Sequence, residues 1–456
     1  MIPRLVISGT ASGVGKTTVT VALIRALRAR GLTVASFKCG PDYLDPTYHA
    51  RAAEGACHNL DGWMMGRAAV LQTFSRAARA ADIAIVEGVM GLFDGASPTS
   101  EAGSTAEIAK WLGAPVVLVS DASGMARSIA ALAGGFVAFD RELRVAAVIA
   151  NRVGSRRHLD LLREALPAPP IVGGFLDEAA LAFPERHLGL TTAARETVPE
   201  ELLATWGERA AEWLDVAALI ELARSAAPLR DEVVTAPARG PARCRIGVAY
   251  DAAFHFYYED NLHRLEALGA ELVRFSPIAD ALLPDVDGLY LGGGYPEVHA
   301  AELAKNRSMR DAIAEFSAAG RPIYAECGGL MLLCKSIRCV DGSSHPMAGV
   351  LPAEAVMSDR LRALGYVEVE TREATPLGAA GLRFRGHQFR YSELRLLGDV
   401  ECAYELRRSR DGELSREGFR VKNTLASYVH AHWGSSAAPA EGFVESCATG
   451  KRSSSR

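Results

Sequence analysis

A glycine-rich loop at residues 8–20, SGTASGVGKTTVT, joins a strand-length apolar run to a helix pattern and constrains the fold more than any other feature. The run RLVIS precedes the loop, and apolar residues recur at helical spacing from Lys16 to Gly31. The later runs TVASFK, DIAIVEG, APVVLVSD and VAAVIANRV follow the same plan, and each ends in polar residues. Continuous apolar strands separated by helices are typical of buried parallel sheets. The first half therefore predicts an α/β fold with a doubly wound parallel sheet, whose ligands bind at the carboxyl ends of the strands.

The alternation stops around residues 226–243, where proline, alanine and charged residues predominate, as is typical of a linker. A second doubly wound unit is predicted by CRIGVAYD, a helix pattern near YYEDNLHRLEALGA, and the runs ELVRFSP, GLYLGGG and RPIYAECGG. A chain of 456 residues is also too long for a single core. The predicted organisation is a domain at 1–225, a linker at 226–243, a domain at 244–438 and a disordered tail at 439–456.

Composition excludes several classes of function. The net charge of −4 provides no basic excess with which to bind the phosphates of a nucleic acid. No apolar run approaches the length of a membrane span, and no signal-peptide pattern precedes the first strand. The eight cysteines are scattered without metal-ligand spacing, which indicates reduced thiols. We expect a cytoplasmic protein that acts on small molecules.

The glycine-rich loop has the chemistry of a phosphate site. Gly9, Gly13 and Gly15 let backbone N–H groups approach an anion, and the helix N-terminus adds its positive dipole. Lys16 is expected to reach the β- and γ-phosphates of ATP, and Thr17 to bind Mg²⁺. Five residues separate Gly9 from the Gly-Lys-Thr sequence, one more than in the usual loop. The alternative is a glycine-rich turn without a ligand, which the Gly-Lys-Thr sequence disfavours.

Two acidic loops follow strands of the same predicted sheet. FKCGPDYLDP contains Asp42 and Asp45, and VEGVMGLFDG contains Glu87 and Asp94. Carboxylates at strand ends beside a phosphate loop are suited to holding Mg²⁺ or orienting a substrate group. Each carboxylate taken alone could instead cap its own loop.

The second half contains a candidate nucleophile. IYAECGGLM predicts a strand, a tight turn and a helix with Cys327 at the apex, where the thiol projects and the helix N-terminus favours the thiolate. The glycine turn LGGGYPE adds backbone donors, so the predicted oxyanion hole comprises Gly293, Gly294 and Gly328. His430, in SYVHAHW, is the candidate base. The alternative interpretation of Cys327 is a buried structural cysteine.

The two halves resemble different enzyme classes. The long phosphate loop resembles that of dethiobiotin synthetase, whereas partitioning ATPases carry a second lysine where this chain has Ala11. In dethiobiotin-synthetase-like enzymes an asparagine at the position of Asn151 contacts the nucleotide base; the alternative is a polar residue that ends a strand. The second half resembles the flavodoxin-like class I glutamine amidotransferases. Those usually have His-x-Glu at the base, whereas this chain has His432 at the third position, so the orienting role is left open.

Over nearly its whole length the chain resembles the cobyrinate/hydrogenobyrinate a,c-diamide synthase family. The motifs that carry the resemblance occur in family order: GTASGVGKTTV, FKCGPDYLDP, NLDGWMM, VEGVMGLFDG, PERHLGL, AFHFYYEDNL, LGGGYPE and YAECGGLM. The resemblance implies a P-loop NTPase-like synthetase domain fused to an amidotransferase domain, and a magnesium-dependent step of cobalamin biosynthesis. The a and c carboxylates of cobyrinate, a tetrapyrrole, would become amides through acyl phosphates, with ATP as co-substrate and glutamine as nitrogen donor.

The resemblance also implies roles for residues at matching positions. The implied ATP-binding residues are Gly9, Gly13, Gly15, Lys16, Thr17, Thr18 and Asn151. The implied metal contacts are Thr17, Glu87 and Asp42, and the implied substrate contacts are Asp42, Tyr43, Leu44, Asp45, Glu87 and Asp94. Cys327 would form a glutamyl thioester with help from His430. No nucleic-acid or membrane partner is expected, and a homodimer is one of the assemblies left open.

Four alternative activities share some or all of these motifs. Hydrogenobyrinate and nickel-sirohydrochlorin a,c-diamide synthases would share almost every motif. Cobyric acid synthase is disfavoured because it has a phenylalanine-lysine-proline-glutamine-asparagine segment where this chain has KCGPDYLDP. A regulatory P-loop ATPase with a non-catalytic amidotransferase-like domain should lack the nucleophile, and Cys327 is present. The segment GHQFRYS departs from the family's frequent GHEFHYS, so no role is assigned to Gln388 or Arg390.

Overall fold

The computed structural model describes residues 2–178, 198–229 and 241–453, and the chain divides into two compact units, Met1–Thr235 and Ala236–Arg456. The boundary lies within the predicted linker, most of which is outside the described residues, as is the motif PERHLGL. Each unit has its own sheet and its own buried apolar core.

The first unit is built on a parallel sheet. Its strands are β1 Arg4–Gly9, β2 Val34–Cys39, β3 Cys57–Leu60, β4 Ile83–Glu87, β5 Val116–Asp121, β6 Val145–Asn151 and β7 Ile171–Gly173. They lie in the order β3-β2-β4-β1-β5-β6-β7, and every neighbouring pair is parallel. The flanking helices are α1 Lys16–Ala29, α2 Asp45–Ala53, α3 Gly62–Ala78, α4 Thr105–Leu112, α5 Ser128–Phe139, α6 Arg156–Ala165, α7 Glu200–Trp213 and α8 Val216–Arg224.

Local sequence explains how this sheet presents its loops. Strands β1, β2 and β4 are buried along their whole length, as their continuous apolar runs predict. Helix α2 begins at Asp45 with Pro46 in its first turn, where the missing N–H of proline has no cost. The acidic loop after β2 therefore ends directly in a helix, which fixes the direction of Asp45.

The second unit contains a larger, mixed sheet. Its strands are β8 Cys244–Ala249, β9 Ala270–Phe275, β10 Gly288–Leu291, β11 Ile323–Glu326, β12 Ser336–Arg338, β13 Ser344–Pro346, β14 Ala353–Met357, β15 Ala363–Thr371, β16 Arg383–Arg390, β17 Ser392–Leu396, β18 Glu401–Arg408, β19 Leu414–Val421, β20 Thr424–Ser427 and β21 His430–His432. Its helices are α9 Glu259–Ala267, α10 Ala300–Lys305, α11 Arg307–Ala318, α12 Gly328–Leu333 and α13 Ala438–Ser453. Ten strands lie in the order β21-β16-β15-β18-β19-β20-β11-β10-β8-β9, and β13-β12-β14-β17 form a separate sheet.

The α/β class is confirmed for both units, but the second is more than a doubly wound parallel sheet. The strands from β20 to β9 in that order pair in parallel, as predicted, whereas those from β21 to β20 pair antiparallel. These antiparallel strands are not predicted by the sequence patterns. Many of their residues are half-buried or exposed, so they lack the continuous apolar runs that marked the parallel strands.

The predicted disordered tail at 439–456 is wrong for most of its length, because helix α13 spans Ala438–Ser453. Phe443, Val444 and Cys447 of this helix are fully buried. Their spacing forms one narrow apolar face against the core of the second unit, and the many small and polar residues around it obscure that face in the sequence. Within the described ranges, no helix combines the length and apolarity needed to cross a membrane.

Candidate active sites

The predicted phosphate loop connects β1 to α1. Gly15 takes a left-handed φ of 92° just before the helix, and a side chain at this position would collide with the amide of Asn151. Asn151, at the end of β6, donates from Nδ2 to the carbonyl oxygen of Val14 at 2.9 Å. Lys16 Nζ donates to the carbonyl oxygen of Ala11 at 3.0 Å, which folds its side chain over the loop. The loop, its lysine and Asn151 therefore lie together.

A cavity of about 690 Å³ borders this loop. Predicted site residues in its lining are Gly13, Gly15, Lys16, Thr17, Thr18, Asp42, Leu44, Asp45, Glu87 and Asn151. Gly9, Tyr43 and Asp94 lie outside the lining. Asp94 Oδ2 accepts from the N–H of Gly91 at 2.9 Å, so this carboxylate closes its own loop, and its substrate contact stays a prediction.

A buried lysine that the sequence patterns do not single out lies among the acidic residues. Lys38 Nζ, on β2, is 2.6 Å from Asp45 Oδ2 and 2.8 Å from Glu87 Oε1. Burial alone would lower the pKa of Lys38, but the charges of Asp45 and Glu87 outweigh it and hold the pKa well above its usual value. Burial alone would raise the pKa of Glu87, yet the charge of Lys38 outweighs it and the pKa is lowered. Both groups are therefore charged in the interior.

The oxygen atoms beside Lys38 fit a magnesium ion in their chemistry. The hydroxyl of Thr17 lies 2.8 Å from Glu87 Oε1 and 3.2 Å from Asp45 Oδ2. Mg²⁺ prefers such oxygens and usually combines one or two carboxylates with substrate phosphates. Asp45, rather than the predicted Asp42, completes this set. In the described residues, no group of three or more His, Cys, Asp or Glu forms a metal site by itself.

In the structure, the carboxylate of Asp42 accepts hydrogen bonds from its own loop. Its Oδ1 accepts from the backbone N–H groups of Leu44 and Asp45 at 2.8 and 3.0 Å, which shapes the loop before α2. Burial, followed by the charge of Asp45, raises the pKa of Asp42 to about 6. Its expected metal contact stays a prediction.

A buried histidine lies on the far side of Glu87. His49 Nε2, on α2, is 2.5 Å from Glu87 Oε2, in an ion-pair contact that is poorly aligned for a hydrogen bond. Its Nδ1 lies 3.8 Å from the thiol of Cys57. Burial alone would lower the pKa of His49, but the charge of Glu87 raises it to about 10. Lys38 and His49 therefore supply two positive charges to the carboxylates of Asp45 and Glu87.

In the second unit, Cys327 occupies the turn between β11 and α12. Its φ of 48° and ψ of −100° are strained for a residue with a side chain. Its N–H donates to the carbonyl oxygen of Ser427 at 2.7 Å, which continues the pairing of β11 with β20 into the turn. A strained residue between a strand and a helix is the geometry of a nucleophile elbow.

His430 begins β21 and lies beside the glycine turn that follows β10. A side chain at Gly293 would collide with the imidazole of His430. A Cβ added to Gly328 would lie 3.0 Å from the backbone nitrogen of Gly294. The structure therefore brings the predicted base and the three glycines of the predicted oxyanion hole next to the Cys327 elbow.

Both reactive groups of this elbow are neutral in the closed interior. Burial, followed by the charge of Glu297, raises the pKa of the Cys327 thiol to about 12. Burial lowers the pKa of His430 to about 3. Helix α12, which follows Cys327, is only six residues long, and the effect of its N-terminus on the thiolate stays a prediction.

His432 does not orient the base through a direct hydrogen bond. Its Nδ1 accepts from the N–H of Gly434 at 3.0 Å, and its Nε2 is buried without a hydrogen-bond partner in the described part of the chain. The imidazole of His387, opposite His430 on β16, stacks on it with centroids 5.1 Å apart and an angle of 20°. His387 Nδ1 lies 3.0 Å from Tyr258 Oη. A buried aromatic cluster therefore surrounds the base.

Lys38, His49 and Glu326 are buried charged or titratable residues near the sites that the sequence patterns do not single out. Lys38 and Glu326 each interrupt an apolar strand just before a site loop, and His49 lies four residues after Asp45, on the same face of α2. A charged residue inside a strand that is otherwise apolar is the signal that could have found the first two.

Two family models match the chain. The CobQ/CobB/MinD/ParA nucleotide binding domain matches residues 5–177, and the CobB/CobQ-like glutamine amidotransferase domain matches residues 245–438. A cobyrinate a,c-diamide synthase from Leptospira interrogans is 54% identical over 98% of both chains. Another from Syntrophotalea carbinolica is 50% identical, also over 98% of both chains. This chain belongs to the cobyrinate a,c-diamide synthase family.

Within this family's architecture, the matched ranges assign the phosphate loop and its cavity to the nucleotide binding domain, and Cys327 and His430 to the amidotransferase domain. Among solved structures, a crystal structure of a glutamine amidotransferase covers 44% of this chain and 98% of its own, at 23% identity and a TM-score of 0.33.

Proposed function

We propose that the chain catalyses the ATP- and glutamine-dependent amidation of the a and c carboxylates of cobyrinate in cobalamin biosynthesis. The observation that carries the proposal is one chain with two complementary sites: a phosphate loop beside buried carboxylates, and a cysteine elbow beside a histidine. Without ammonia, an activated acid is hydrolysed by water. Without an activated acid, ammonia diffuses into the solvent. The relatives that match over nearly the whole chain support the choice of substrate.

In the second unit, Cys327 Sγ attacks the side-chain amide carbon of glutamine, and the thiol proton passes to His430. The imidazolium returns this proton to the leaving nitrogen, so ammonia departs and a glutamyl thioester remains. Water, deprotonated by His430, then attacks the thioester and releases glutamate and the free thiol. Backbone N–H groups of the glycine turn and of Gly328 stabilise the oxyanion of each tetrahedral intermediate.

In the first unit, a corrin carboxylate oxygen attacks the γ-phosphorus of ATP. The bond between the γ-phosphorus and the bridging oxygen breaks, ADP departs, and the carboxylate becomes an acyl phosphate. Ammonia then attacks the acyl carbon, loses a proton and displaces phosphate, which gives the amide. Lys16 and the N–H groups of the loop hold the phosphates. Thr17, Glu87 and Asp45 would hold Mg²⁺, which offsets the negative charge of the phosphates when it is bound.

The remaining expectations belong to the same proposal. The loop from Asp42 to Asp45 and the more distant Asp94 are assigned to the substrate, and Asn151 to the nucleotide base. A cytoplasmic location and a homodimer are also proposed, and light scattering of the purified chain in solution tests the latter.

The deciding experiment compares nitrogen donors. We expect Cys327→Ala to abolish diamide formation from glutamine and to leave formation from ammonium salts intact, whereas Asp45→Asn should reduce both on the order of 100-fold and spare glutamine hydrolysis. Mass spectrometry counts the amides added to cobyrinate, hydrogenobyrinate and nickel sirohydrochlorin. Equal loss with both nitrogen donors in Cys327→Ala would contradict the division of labour. Absence of glutamine hydrolysis in the wild type would favour a regulatory ATPase.

A further inference from the structure

Strand β21 carries the proposed base, yet it is three residues long and lies at the edge of the ten-stranded sheet. Its register with β16 places His430 opposite His387 and Ala431 opposite Gly386. Backbone groups of alternate residues in an antiparallel pair point away from the partner. The N–H and C=O of Ala431 therefore point away from β16, and leaving them unpaired in the interior would be costly.

Two buried side chains take the place of a further strand on this outer edge. Glu326 Oε1 accepts from the N–H of Ala431 at 3.0 Å. Asn261 Nδ2 donates to the carbonyl oxygen of Ala431 at 2.8 Å, and its Oδ1 accepts from the N–H of Trp433 at 2.9 Å. The side chains thus reproduce three bonds of a β-ladder, and both residues are buried, with exposures of 1% and 0%.

Glu326 is itself held in place and adjoins the nucleophile. Its Oε1 accepts from Tyr324 Oη at 2.7 Å and its Oε2 from Tyr290 Oη at 3.0 Å. Burial raises the pKa of Glu326 to about 7, so the site suits a hydrogen-bonding carboxyl group more than a free charge. Because Cys327 follows Glu326 directly, this carboxyl group joins the nucleophile elbow to the backbone beside His430.

We propose that Glu326 and Asn261 are positioning residues that hold the base strand β21 against the cysteine elbow. The inference rests on the proposed glutamine hydrolysis at Cys327. It assigns the alignment of His430 to the strand that carries it, because within the described residues the imidazole of His432 hydrogen-bonds only to the N–H of Gly434.

Steady-state glutaminase kinetics of the full chain test this assignment. We expect Glu326→Ala and Asn261→Ala to lower kcat on the order of 100-fold and to change KM by less than about threefold, because a displacement of about 1 Å between base and nucleophile has this effect without removing a glutamine contact. Glu326→Gln keeps an acceptor oxygen for the N–H of Ala431 and should recover most of the rate.

The matched control is Thr424→Val, which removes a buried 2.7 Å hydroxyl contact with Ser317. Thr424 lies opposite Ile323, at the end of β11 that is away from the elbow. It should destabilise the unit without changing kcat by more than about threefold. The assignment is overturned if Glu326→Ala keeps its kcat, if Thr424→Val loses as much, or if the loss lies in KM.

If the wild type releases no ammonia from glutamine, the proposed function is refuted and kinetics cannot test the role of Glu326 and Asn261. Amide hydrogen exchange tests that role without enzyme activity. We expect the amides of Ala431 and Trp433 to exchange faster in Glu326→Ala and Asn261→Ala than in the wild type, and at the wild-type rate in Thr424→Val. Unchanged exchange in the first two variants would show that these side chains do not hold the strand.

Discussion

The two sites differ in whether their buried titratable side chains are charged. In the first unit, Lys38 and Glu87 are both ionised because each has an opposite charge within 2.8 Å. In the second unit, burial dominates: the pKa of Cys327 is raised to about 12, that of His430 is lowered to about 3, and that of Glu326 is raised to about 7. Under the proposed function, the site for the polyanion ATP has its ions in place, whereas the site for the neutral amide of glutamine has an uncharged thiol and an uncharged imidazole.

Among the variants that test this difference between the sites, Lys38→Met is expected to change stability most. Removing the ammonium group leaves the carboxylates of Asp45 and Glu87 without their shared counter-ion, which should lower the free energy of unfolding by about 3–5 kcal/mol. Urea unfolding measures the change. Lys110→Met is the control, because Lys110 pairs with Glu101 and Asp140 in a partly exposed setting and should cost less than about 1 kcal/mol. Equal losses in the two variants would contradict the distinction.

A smaller, pH-dependent effect is expected at His49. Its folded-state pKa of about 10 exceeds the ordinary value of 6.5, so the stability it contributes is complete below pH 6.5 and is lost as pH rises through about 10. His49→Gln should lower the free energy of unfolding by on the order of 2 kcal/mol at pH 6.5 and by much less at pH 10. Unfolding free energies measured across this window test the prediction. A deficit that does not change with pH would indicate lost packing in place of a lost ion pair.

The smallest effect is expected from Glu326→Gln in the second unit. The raised pKa means that the folded protein keeps this carboxyl proton after the unfolded chain has released it, so stability falls as pH rises from 4.5 through about 7. The side chain of glutamine has no such proton, so the stability of the variant should not fall with pH in this window. Below pH 7 the free energy of unfolding should be lower than in the wild type by less than about 1 kcal/mol. A large loss at every pH would mean that Glu326 is a buried ion like Glu87.

Prediction from the sequence succeeded where the signal is local. The strand-loop-helix around Lys16 and the elbow at Cys327 depend on residues adjacent in the chain, and both appear in the structure. The contacts Lys38–Glu87 and Glu326–Ala431 join residues 49 and 105 positions apart. Strand order and sheet curvature create those contacts, and neither is written in a short motif.

The same limit explains the missed antiparallel strands and the missed helix at the C-terminal end. Strand β15 is half-buried or exposed over its first four residues and then alternates buried with half-buried residues. It therefore has no continuous apolar run, as is typical of an antiparallel strand with one face on the core. Helix α13 buries only a narrow face, which few apolar residues suffice to cover. In both cases the surroundings, more than the segment's own composition, decide the structure.

The order of strands in the large sheet has a geometric consequence. Strands β21 and β11 are separated by β16, β15, β18, β19 and β20, and neighbours about 4.8 Å apart would put them about 29 Å from each other in a flat sheet. The bond from Ala431 to Glu326 spans that gap directly, so this half of the sheet is rolled nearly into a cylinder. Two residues separate β20 from β21 in the chain, so this short connection closes the curve and carries His430 back beside the strand that leads to Cys327.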